Sequence, residues 1–195
     1  MNVLDKGQLA GLTENSIQPA GSREFYIGAA WEGRAELDFA VQPVRNDIIS
    51  TDDMLYTNRL EVFGGALQMS GVALIADDSA VDNKAALIKT DAVPGGITAL
   101  VAGVIAFYDD ELSAVSNTRL TIRDGDSVEA PPLYTLPLII EKGTCATVLV
   151  SCVLLRGSDN SWSIKNTSDF RNEFGKGVEA LSGFAGLAPS YAQAA

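Results

Sequence analysis

The chain has no histidine, only two cysteines in 195 residues, and few charges, with Asp, Glu, Lys and Arg together at 20%. Lacking imidazole, it has no His-based catalytic triad and no ordinary His-containing zinc site. Its two thiols, Cys145 and Cys152, fall in the apolar stretch 144–155, which reads as one buried strand. Seven steps along a continuous strand set them on opposite faces and about 23 Å apart, beyond the reach of a disulfide. They are expected to be buried, inert thiols, with a link to another chain as the alternative. Bases are also scarce: 14 against 25 acids, for a formal charge of −11. A surface of that sign repels phosphate backbones, so direct nucleic-acid binding is excluded and cations or basic partners are favoured.

No apolar run is long enough to cross a bilayer. The best candidate, 97–108, is a dozen residues with an internal glycine. The start, Met1-Asn2-Val3-Leu4-Asp5-Lys6-Gly7, has neither the basic nor the apolar region of a signal peptide. A soluble, cytoplasmic protein is the expectation. Yet 47% of the residues are hydrophobic. With so few charges to cover the surface, part of that excess is expected to meet a protein partner in an oligomer or larger assembly.

What is present is mostly β signal. Candidate strands are 24–30, 36–44, 54–56, 86–90, 98–108, 119–123, 134–140, 146–155 and 161–165. Turn chemistry separates them: Val93-Pro94-Gly95-Gly96, Asp124-Gly125-Asp126-Ser127, Pro131-Pro132 and Gly157-Ser158-Asp159-Asn160. Many short strands with such loops predict an all-β-dominated fold, a β-sandwich of two sheets. Two helices are expected beside it. One spans 110–117; the other spans 168–182, with N-cap candidates Thr167-Ser168-Asp169 and Phe170, Phe174, Val178 and Leu181 on one face. The sandwich is expected to occupy 1–185, and 186–195 forms a small-residue C-terminal tail held by this domain or by another subunit.

The segment Glu36-Leu37-Asp38-Phe39-Ala40-Val41-Gln42 carries the clearest chemical hint. As a strand it puts Leu37, Phe39 and Val41 on a core face and Glu36, Asp38, Ala40 and Gln42 on the other. That second face offers oxygen ligands of the kind calcium prefers. Other constellations are weaker. Asp109-Asp110-Glu111 lacks a facing partner for acid–base work, Gly64-Gly65 and Gly95-Gly96 lack the context of a phosphate loop, and no nucleophile has a base beside it. Trp31 and Trp162 read as core anchors.

Taken in order, several segments resemble the TerD family of tellurite-resistance and stress proteins, across roughly 12–184. Gly28-Ala29-Ala30-Trp31 matches a strand ending in Gly-x-x-Trp, and Glu36-Leu37-Asp38-Phe39-Ala40 is similar to an Asp-x-Asp-Leu-Asp strand. Leu55-Tyr56-Thr57-Asn58, Gly65-Ala66-Leu67-Gln68, Asp82-Asn83-Lys84, Val93-Pro94, Ile105-Ala106-Phe107-Tyr108-Asp109, Val115-Ser116-Asn117, Trp162 and Phe174-Gly175-Lys176-Gly177-Val178 follow in the family's order. The resemblance implies a β-sandwich holding calcium between acidic loops, and a role in tellurite or other stress responses without an established enzyme reaction.

Against that pattern the chain has lost acids: Ala40, Val72 and Lys84 stand where the family has Asp, Asp and Glu. The resemblance leaves Glu36, Asp38, Asp77, Asp78, Asp82, Asn83 and Asp109 as a residual, degenerate calcium site, since affinity falls as charged ligands are removed. The expected function is a non-enzymatic TerD-like binding module. The alternative is a structural subunit of a large assembly such as a virus or phage particle or tail, located in the virion rather than the cytoplasm.

Overall fold

The computed structural model describes residues 2–19, 23–33, 35–45, 48–70, 82–106, 112–140 and 145–193. In chain order its strands are β1 (Asn2–Val3), β2 (Leu9–Gly11), β3 (Glu24–Glu32), β4 (Leu37–Val44), β5 (Glu61–Val62), β6 (Leu67–Ser70), β7 (Lys84–Lys89), β8 (Ala99–Ala106), β9 (Ser116–Asp124), β10 (Pro132–Pro137), β11 (Val148–Arg156) and β12 (Trp162–Arg171). Among the described residues there is one α-helix, α1 (Val178–Gln193), which follows β12.

The strands form a seven-stranded sheet, β1-β10-β9-β3-β7-β6-β5, and a five-stranded sheet, β2-β12-β11-β8-β4. Between them lies a core fed by alternate residues of each strand: Phe25, Ile27, Ala29 and Trp31 from β3, Leu120 and Ile122 from β9, and Leu37, Phe39 and Val41 from β4. This is the two-sheet sandwich that the many short strands and their turns predict. Both tryptophans are buried. The turn at 157–160 joins β11 to β12 as a hairpin, with Asn160 left-handed at φ 63° and the Gly157 amide donating to Ser161 O at 2.8 Å.

A second core lies on the outer side of the five-stranded sheet. Ala40 and Val44 of β4, Ala99, Val101 and Ile105 of β8, and Val148, Val150 and Val153 of β11 pack there against Leu181, Phe184, Ala185 and Ala188 of α1. With both faces covered, β8 is buried at every position, which is why its sequence Ala-Leu-Val-Ala-Gly-Val-Ile-Ala is continuously apolar rather than alternating. The two cores take up much of the apolar surplus. The large apolar side chains left exposed, among them Ile17, Ile48 and Ile139, are scattered over loops and strand ends.

Several expectations are corrected. The face of β4 carrying Asp38, Ala40 and Gln42 is not open to solvent: all three are buried, because α1 and the segment around Ser50–Thr57 cover it. The candidate strand 54–56 shrinks to a bridge in which Leu55 exchanges two 2.9 Å hydrogen bonds with Val41. The helix expected at 110–117 is a single 3-10 turn, Leu112–Ala114, because Ser116 already pairs with Glu32 in the sheet; residues 110 and 111 lie outside the described residues.

The helix expected at 168–182 starts ten residues later and runs on to Gln193, through most of the segment read as a tail. Thr167, Ser168 and Asp169 are strand residues instead. Their side chains are engaged by the sheet and by α1: Thr167 Oγ1 donates to Val150 O, Ser168 Oγ to Asn166 Oδ1, and Asp169 accepts from the Tyr191 hydroxyl. The cysteine count along one strand also fails. Cys145 precedes β11 and is exposed, and β11 has a register shift between Val150 and Cys152. Cys152 is buried, and no disulfide joins the two.

Candidate functional site

The site lies at the rim where β4 of one sheet approaches β7 of the other. Asp38 is 4% exposed, and its carboxylate is surrounded by donors from the chain itself. It accepts the amide of Phe39 at 2.9 Å, the amide of Thr57 at 3.2 Å and the Thr57 hydroxyl at 2.5 Å. The ammonium of Lys84 lies 3.4 Å from Oδ1 and donates to Thr57 Oγ1 at 2.6 Å. Thr57 thus donates to the acid while accepting from the base, a chain of charge-assisted hydrogen bonds. Register dictates this meeting. Lys84 opens β7 opposite Ala29, on the core-facing side, and Leu55 anchors the Thr57 segment onto β4.

Asp82 sits two residues earlier in a different environment. It is 1% exposed, and its carboxylate lies over Gly28, where a β-carbon would fall 1.9 Å from Oδ2. Only glycine at that position of β3 leaves room for it. Arg123 Nε stands 3.9 Å from Oδ2, yet neither Asp82 oxygen accepts a hydrogen bond, and Arg123 Nε donates none. Burial pushes the Asp82 carboxyl above its ordinary value of 3.8, and the charges of Arg123 and Arg119 pull it down more weakly.

Asn83 is a structural link: its amide donates to Ala29 O at 2.7 Å, and its Oδ1 accepts the Trp31 amide at 2.8 Å. Glu36 is exposed just before β4. Asp77, Asp78 and Asp109 lie outside the described residues.

A calcium cage needs six to eight oxygens at about 2.3–2.6 Å. Here Asp38 is filled by three protein donors and an ammonium, Asp82 faces an arginine, and Asn83 Oδ1 is committed to the backbone. Among the described residues no group of three or more His, Cys, Asp or Glu side chains is placed to hold a metal. The described part of the residue set therefore does not fit a calcium ion.

The sequence reading missed Thr57, which completes this rim, and Arg123, which faces Asp82 on the outer side of the seven-stranded sheet. A signal for the second exists: Arg119, Thr121 and Arg123 alternate with Leu120 and Ile122, so β9 turns its bases to the outer face. Elsewhere, a cleft of about 330 Å³ runs between 115–118 and 137–140, and among the described residues no titratable side chain lines it. No helix among the described residues is long and apolar enough to cross a membrane.

No family model matches the chain, and no curated protein matches it in sequence. Solved structures do match in fold. The chain is similar to a protein of unknown function, SAV2460, with a TM-score of 0.62 and 12% identity, covering 87% of this chain and 98% of that one. It is also similar to SCO6318 of Streptomyces coelicolor A3(2), a homologue of the telluride resistance protein TerD, with a TM-score of 0.57 and 16% identity, covering 77% of this chain and 90% of that one. The architecture is a TerD-like β-sandwich.

Proposed function

We propose that the chain is a non-enzymatic, TerD-like binding module that acts through protein partners in a tellurite or wider stress response. The observation that carries this reading is the shared fold over 90% of the TerD homologue from Streptomyces coelicolor. The ordered motif matches from Gly28-Ala29-Ala30-Trp31 to Phe174-Gly175-Lys176-Gly177-Val178 run in the same direction. Fold does not fix chemistry, so the site must carry the rest. Its acids are turned toward bases of the same chain, Asp38 to Lys84 and Asp82 to Arg123, rather than toward an open cleft. The small-residue C-terminus, expected to be held by this domain or by another subunit, contributes its apolar side to the second core.

The test is genetic. Deleting the coding sequence from its own genome should lower tolerance to tellurite or to oxidative stress, and the wild-type copy should restore it. A deletion strain as tolerant as its parent under both stresses would sink the reading.

A further inference from the structure

We infer that Lys84 supplies from within the chain the positive charge that holds the acidic rim between the two sheets, so that this rim closes without a bound cation. Asp38 belongs to the edge strand of the five-stranded sheet and Lys84 to the seven-stranded sheet. Their 3.4 Å ion pair, with Thr57 bonded to both, is therefore a contact between layers rather than within one. A positive partner stabilises a carboxylate this buried, because a charge out of water is costly unless it is paired or hydrogen-bonded. A divalent ion and an ammonium meet that need by different means. The ion demands further oxygens around it, whereas the ammonium brings three donors on a flexible stem and needs only a pocket for its head. Lys84 is 20% exposed at the side chain and Asp38 5%, so the pair is sheltered enough to matter and open enough to form without a full desolvation penalty.

Two neighbours fit the same arrangement. Thr57 contributes amide and hydroxyl together, both aimed at the acid. Asp82, the other described acid of this region, likewise faces a base of the chain, Arg123 on β9. The charge exchange holds whether the chain serves a stress response or some other task.

The experiment is a melting series on the full-length protein, first stripped with chelator, then measured in chelator and in millimolar calcium at fixed ionic strength. Wild type should melt at the same temperature in both, because a ion that prefers the native state must raise Tm. Lys84→Met keeps the stem but removes the charge, and should lower Tm by at least about 4 °C. The double variant Asp38→Asn, Lys84→Met should recover most of that loss, since the orphaned carboxylate is gone. A wild-type Tm that rises by several degrees in calcium would overturn the inference without any variant. So would a Lys84→Met protein as stable as wild type, or a double variant no better than Lys84→Met alone.

Discussion

The ring of Phe184 rests so closely on Gly103 that a β-carbon on the glycine would fall 2.5 Å from Cε2, and 2.9 Å from the Leu149 carbonyl oxygen. This is how α1 seats on the five-stranded sheet: the middle of β8 is kept flat so that an aromatic ring can enter. Gly103→Ala must displace either the ring or the β11 backbone, a strain costing about 1–3 kcal/mol. Phe184→Ala empties a fully buried site and should cost about 3–5 kcal/mol. Chemical denaturation measures both. If Gly103→Ala left the midpoint unchanged, the helix would not be docked in this register.

Asp82 gives a pH dependence whose sign follows from its burial. Its folded-state carboxyl is raised above the ordinary 3.8, chiefly by desolvation, with Arg123 and Arg119 opposing. The folded protein thus holds that proton more tightly than the unfolded chain. The stabilisation this provides is complete below about pH 3.8 and is lost as pH rises through the folded value, beyond which the ionised group is a net cost. Asp82→Asn cannot ionise, so it should melt above wild type at pH 7, with the gap closing as pH falls toward 3.8. Asp159 and Glu173, whose carboxyls are lowered by their hydrogen bonds, act with the opposite sign but equally in both proteins. A variant less stable than wild type at neutral pH would mean that the Arg123 attraction outweighs desolvation.

The thiols should separate cleanly. Burial pushes the Cys152 thiol up to about 12, so it carries almost no thiolate at pH 8, while Cys145 is exposed. A disulfide reagent should titrate one thiol in the native protein and a second only after denaturation. Cys145→Ser should abolish the native reaction and move stability by no more than about 0.5 kcal/mol. Two fast-reacting native thiols would contradict the placement of Cys152 between β8 and β12.

How far these features were legible depended on where their cause lay. β9 and β10 alternate because one face meets the core, and that period is written locally. The run in β8 was readable as a strand, but what covers its second face was not, since α1 comes only after β9, β10, β11 and β12. Phe170, Phe174, Val178 and Leu181 mimic a helix face, yet Trp162, Ile164 and Asn166 begin an alternation that β11 extends through Arg171. Tertiary pairing overrode a local preference there. The short strands β1, β2, β5 and β6, two to four residues each, are too short to show a period and exist because a neighbour offers a ladder. At the rim, Asp38 and the reversed charge of Lys84 were visible in sequence. Their link through Thr57 was not, because it depends on the bridge between Leu55 and Val41.

A further prediction concerns Asp124, which ends β9 and fastens the segment ahead of β3. Its buried carboxylate accepts the Ser16 hydroxyl at 2.6 Å, the Ile17 amide at 2.7 Å and the Gln18 side-chain amide at 2.7 Å. Gln18 in turn brackets Glu24, donating to its carbonyl at 2.5 Å and accepting its amide at 2.8 Å. The Ile17 side chain is 84% exposed, so little apolar packing holds this stretch. The carboxylate must therefore do most of the anchoring, and hydrogen bonds to a charged acceptor are the stronger kind. Asp124→Ala should cost about 3 kcal/mol globally. Its local mark is sharper: the Ile17 amide should exchange its hydrogen far faster, while amides of β8 and β11 slow or quicken only with global stability. Asp124→Asn keeps one acceptor oxygen and should fall between the two. Unchanged exchange at Ile17 in the alanine variant would show that the segment is held by something other than this carboxylate.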